Sequence, residues 1–139
     1  MNRLLAPLSG LLAGLLLPAL GVADQRVGLL VEGRLGDDAD VVELRHRDAV
    51  RSGDGVRFVL NAERAGYVYL LALGSSGRLV ALQPFSGDPE DARQEGGERR
   101  ELPSAGRFLP LDNVPGREPL FAFGVAGSPV DIASLIADL

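Results

Sequence analysis

The 139-residue chain contains no cysteine, no tryptophan and no lysine, and only one histidine. Without cysteine it holds no disulfide, so its stability has to come from an apolar core. Thiol catalysis, zinc-thiolate sites and iron–sulfur clusters are excluded by the same absence. Without lysine there is no phosphate-binding loop of the Gly-x-x-x-x-Gly-Lys type, and without tryptophan a broad aromatic platform for a sugar is missing. The exclusive use of arginine reads as the coding bias of a GC-rich genome. Acidic residues outnumber basic ones 19 to 14, a formal charge of −5, which disfavours nucleic acid as a partner.

What is present first is an address. Arg3 supplies a positive start, Leu4 to Leu20 an apolar run, and Gly21-Val22-Ala23 the small residues a signal peptidase needs. A retained membrane anchor is the competing reading, since the run approaches the roughly 20 residues of a spanning helix. Pro7, Ser9, Gly10, Gly14 and Pro18 interrupt the run, and Asp24 and Gln25 follow in place of a basic stop-transfer cluster; both features favour cleavage after Ala23. A bacterial lipoprotein would need a cysteine there. The expected organisation is therefore a signal peptide over 1–23 and a single β-rich domain over 24–139, periplasmic or secreted, with no membrane attachment after cleavage. Cleavage removes one of the 14 basic residues and none of the 19 acidic ones, so the remaining 116 residues carry −6.

Period-two alternation marks the strands, because successive side chains point to opposite faces of a sheet. Arg26 to Glu32 places Val27, Leu29 and Val31 on one side, and Asp40 to His46 places Val42, Leu44 and His46 on one side; both read as half-buried. Val56, Phe58 and Leu60 alternate with Arg57, Val59 and Asn61. Tyr67 to Leu73 is apolar on both faces, which predicts the central strand. Gly77 to Gln83 pairs with it across the turn Gly74-Ser75-Ser76-Gly77. Tyr67 and Tyr69 fit core packing with a polar partner for each hydroxyl better than a ligand platform.

From Phe85 to Glu101 the chain is polar and charged, and a long exposed loop is expected. Pro103 and Pro110 confine any strand in Glu101 to Leu111 to an edge. Asn113 to Gly116 then turns the chain into a strand over Glu118 to Val125. Ser128 as cap, Pro129 at the first helical position and Asp131 near the positive end predict a C-terminal helix, with Ile132, Leu135, Ile136 and Leu139 as its apolar stripe. The predicted fold is mainly β: a small antiparallel β-sandwich or barrel-like sheet with one C-terminal helix.

A family resemblance runs through these segments. Ser52-Gly53-Asp54 leads into Val56-Arg57-Phe58; Ala65-Gly66-Tyr67-Val68-Tyr69-Leu70-Leu71, Ser76-Gly77 and Leu82-Gln83-Pro84 follow; then come Leu102-Pro103 and Val114-Pro115-Gly116-Arg117-Glu118-Pro119-Leu120-Phe121. In order and spacing these resemble the bacterial domain of unknown function 4384 family, over about residues 51–125. Gln83 departs from the leucine-phenylalanine-proline run usual there. The resemblance implies a small β-sandwich-like module, often joined to peptidases, kinases or exported proteins and generally not the catalytic part, and it transfers no catalytic residues.

Chemistry is thinly represented. His46, in Arg45-His46-Arg47-Asp48, is the one histidine a nucleophile-and-base hydrolase could use, with Asp48 facing the same side on a strand; no serine stands in a Gly-x-Ser-x-Gly elbow. The run Gly36-Asp37-Asp38-Ala39-Asp40 offers oxygen ligands for calcium but lacks the spacing of a calcium loop. Asp88, Glu90 and Asp91 form a second acidic loop, where Arg93, Arg99 and Arg100 suggest mutual neutralisation. No catalytic, metal, cofactor or binding residue is assigned, and no cofactor is expected. The expected function is an exported non-catalytic module binding another protein or an envelope component, through the loop Ser86 to Arg100 and the edge near Arg107 to Leu111. A small hydrolase built on His46 and an acidic residue, or a calcium-binding adhesion or stability module, are the alternatives.

Overall fold

The computed structural model describes residues 2–4, 25–37, 40–111 and 116–138. Apart from its first few residues, the segment expected to be a signal peptide lies outside these.

Two antiparallel sheets are stacked, and a short helix covers the outer side of one of them. The first sheet has the order β3 (Val41–Leu44), β2 (Val27–Arg34), β4 (Gly55–Ala62), β8 (Arg99–Leu102), and β9 (Leu109–Pro110) pairs with the start of β4. The second has β11 (Leu120–Val125), β5 (Gly66–Leu73), β6 (Leu79–Gln83), and β7 (Arg93–Gln94) pairs with the start of β5. A separate parallel pair joins β1 (Asn2–Leu4) to β10 (Gly116–Glu118). The fold is a sandwich and not a closed barrel.

The predicted alternation accounts for the register. Val31 lies opposite Phe58, which lies opposite Leu102; Ala122 lies opposite Leu70. These inward rows, with Val56, Leu60, Val68 and Leu120, form the core between the sheets. The other face of β5 presents Tyr67, Tyr69 and Leu71 to the helix, so β5 is buried on both faces, as its doubly apolar sequence predicts. Tyr69 stacks on Phe123 with ring centroids 5.0 Å apart. The turn between β5 and β6 closes through Gly77 N–H to Gly74 C=O at 2.9 Å, with Gly77 at φ 81°, where a side chain would be strained.

Asp54 ties the first sheet's loops together. Its carboxylate accepts the Gly36 N–H and the Arg51 N–H, each at 2.8 Å, and its carbonyl accepts the Leu111 N–H at 3.0 Å. It is buried, so these bonds replace the water it has lost.

Three expectations need correction. Strand β3 is an edge strand on which only Leu44 reaches the core; Val41 and Val42 are exposed, so the strand is not half-buried. The stretch from Phe85 to Glu101 is no open loop. It holds a 3-10 turn (Pro89–Ala92), β7 and the start of β8, and it crosses from the second sheet to the first. Polar sequence hid this because Gln94 enters the interior: its amide donates to the Leu60 and Glu98 carbonyls at 2.8 and 2.9 Å. The helix α1 (Ile132–Ala137) starts later than expected, with Asp131 as its cap and not Ser128. The Val130 N–H is engaged by the Tyr69 hydroxyl at 2.7 Å, which holds Pro129 and Val130 outside the helix. Ile132 and Leu135 are buried against β5 and β11, worth about 1.5–3 kcal/mol each; Leu139 lies outside the described residues.

Candidate functional site

Among the described residues, β3, β8, β11 and β6 end the two main strand orders, and three of these four are guarded. Strand β3 carries Glu43 and is followed by Arg45 and Arg47; β8 carries Arg99, Arg100 and Glu101; β11 is bridged at Gly124 by Gln25. Charges and covering segments of this kind keep sheet edges from pairing with other chains. Strand β6, Leu-Val-Ala-Leu-Gln, has no charged residue, and among the described residues no strand lies beyond it. Val80, its second residue, is 43% exposed.

An apolar groove flanks each face of the β6 end. On the side of the first sheet a groove of about 210 Å³ is lined by Phe58, Leu82, Leu102, Pro103 and Leu109. On the side of the helix a second, of about 160 Å³, is lined by Ala81, Pro89, Val130, Ile132 and Ile136. Phe85 borders both and is 84% exposed, the most exposed large apolar side chain described. Side chains alternate across a strand, so a segment laid along β6 would direct successive residues toward opposite faces, where these grooves open.

The 3-10 turn forms one rim. Asp88 caps it by accepting the Glu90 N–H at 3.0 Å, Asp91 accepts the Ser86 hydroxyl, and Glu90 accepts the Tyr67 hydroxyl at 3.4 Å. The expected neutralisation by neighbouring arginines is not how the charges are arranged. Arg93 pairs with Glu95 at 3.6 Å, Arg100 with Glu98 at 2.9 Å, and Arg99 with Glu32 and Glu101, each at 3.7 Å. Arg100 reaches Asp91 only at its backbone carbonyl.

The other candidate residues are scattered. His46 is exposed in a turn beyond the end of β3, not on a strand. The Asp48 carboxylate accepts the Arg45 N–H at 2.7 Å, so the expected same-face pairing along a strand does not arise. Of the first acidic run, Asp37 and Asp40 are described and exposed, while Asp38 and Ala39 lie outside the described residues. Among the described residues no group of His, Asp and Glu is arranged to hold a metal ion. Tyr67 and Tyr69 belong to the core under the helix and form no platform.

A charged cluster that sequence reading missed spans the outer face of the first sheet. Arg57 donates to Glu32 at 2.6 Å and lies 3.7 Å from Glu101. The Gly106 N–H, at 2.8 Å, and the Arg57 and Arg99 guanidiniums hold the Glu101 carboxyl below its usual range. Phe108 lies under Arg34 and Arg57, whose guanidinium carbons are 4.4 and 4.8 Å from its ring centre. These contacts fasten the segment after β8 over the sheet, and the charges satisfy one another.

A family model for a domain of unknown function (DUF4384) matches residues 49–124, more than half of the chain. The chain belongs to this family. No curated protein and no solved structure matches it. The DUF4384 region runs from just before β4 almost to the end of β11, and so contains β6, Phe85, the acidic turn and every residue lining the first groove. The part of α1 that lines the second groove lies outside it.

Proposed function

We propose that this DUF4384 protein is an exported, non-catalytic module that takes up an extended segment of another protein by strand addition at β6. The observation that carries the reading is the uncharged β6 edge with an apolar groove on each face and Phe85 exposed between them. In strand addition the main-chain hydrogen bonds supply affinity and pockets for alternate side chains supply selectivity. An edge this free of charge is otherwise a liability, which a partner would remove. Export is supported by the Arg3 start, the apolar run and the small residues ending at Ala23, and it puts the partner in the periplasm or outside the cell.

Val80→Lys sets a charge at an exposed position of this edge, while Val41→Lys does the same at an exposed position of β3 and serves as control. Captured from envelope extract, the set of proteins held by the native chain should be lost with Val80→Lys and kept with Val41→Lys. Equal capture by both variants would refute the assignment to β6.

A further inference from the structure

We infer that the segment taken up at β6 runs antiparallel to it and is basic at the end that lies beside Gln83. The inference rests on the strand-addition reading above and adds the chemistry of the partner. Beyond Gln83 the chain enters the turn bearing Asp88, Glu90 and Asp91, and Pro89 of that turn lines the second groove. All three residues are exposed, and among the described residues none has an arginine within ion-pair distance, because the nearby arginines are committed to Glu95, Glu98, Glu32 and Glu101. At the opposite end, Arg78 is exposed just before β6 begins. The edge is thus apolar along its length, negative where it ends and positive where it begins. A strand that crosses it with complementary charge has its cations beside Gln83 and none beside Arg78. Every pairing within the two main sheets is antiparallel, the geometry that is slightly more stable per residue. That places the cations at the segment's N-terminal side.

The test uses fluorescently labelled peptides that share a core of alternating valine and threonine and carry an N-terminal run of lysine, glutamine or glutamate. A fourth carries its lysine run at the C-terminus. Anisotropy titrations of the full chain should rank N-terminal lysine above glutamine above glutamate, with a first-to-last ratio on the order of tenfold, as a few exposed charge pairs give. The ratio should shrink toward one at high salt and in the combined variant Asp88→Asn, Glu90→Gln, Asp91→Asn, which keeps the capping oxygen. Equal binding of the N-terminal peptides overturns the inference and leaves strand addition standing. A C-terminal lysine peptide that binds as tightly as the N-terminal one overturns the orientation. Binding of none of them, at any salt concentration, overturns the underlying reading as well. The ranking on the native chain is decisive even if the combined variant fails to fold.

Discussion

The backbone N–H of Val130 donates to the phenolic oxygen of Tyr69 at 2.7 Å, joining the segment before the last helix to the central strand. Tyr69 is fully buried, and no other described group takes that N–H. Tyr69→Phe keeps the ring stack on Phe123 and removes only the acceptor, so it should cost about 1–3 kcal/mol in a denaturant melt. Burial raises the Tyr69 phenol above its ordinary value of 10.0. Its contribution is then fully present below that value and is lost as pH rises through the raised one.

Leu135 is the buried centre of the helix that Tyr69 anchors. Leu135→Ala should destabilise the protein by about 2–5 kcal/mol in a thermal or urea melt. An unchanged melt would mean that the helix contributes nothing to the second core.

Asp131 sets the start of that helix. The Ser134 N–H, and then the Ser134 hydroxyl, hold its carboxyl below the ordinary 3.8. A lowered folded-state value means that its contribution is present above the unfolded value and is lost as pH falls through the lowered one. Asp131→Ala should lower the melting temperature at neutral pH by less than Leu135→Ala does, and the difference from the native protein should vanish in strong acid. Asp131→Asn should retain most of the cap.

Arg57 sits between Glu32 and Glu101 with 15% of its side chain exposed. Arg57→Met leaves those carboxylates without their shared partner and should cost about 1.5–3 kcal/mol at neutral pH. The Glu101 carboxyl is held down in the folded state, so its share of the stabilisation is present above the ordinary glutamate value and disappears as pH falls through the lowered one. Urea titrations at neutral and strongly acid pH should show the gap between native and variant closing in acid.

The pattern of apolar residues made the sheets legible. Alternation along β4 and β5 identified the inward rows, and β5 was recognisable as central because its eight residues are apolar on both faces. Local patterning does not report partners distant in sequence, and the misread elements depend on them. Gln94 is interior only because the Leu60 carbonyl awaits it, and the helix starts at Ile132 because Tyr69 holds Val130. The candidate site was legible only in part. Leu109 and the charged loop were recognisable as exposed, but the groove exists because the ends of β6, β8 and β9 meet. Phe85 falls at the start of the segment expected to be exposed, but nothing local shows that its ring, next to the buried Pro84, stands between two grooves.

The most direct test of the central claim is residue-resolved amide hydrogen exchange of Leu79–Gln83, with and without a saturating alternating valine–threonine peptide carrying N-terminal lysines. Strand addition predicts slower exchange within β6 and unchanged exchange in β3. Slowing confined to β3, or exchange in β6 that does not respond to bound peptide, would contradict it.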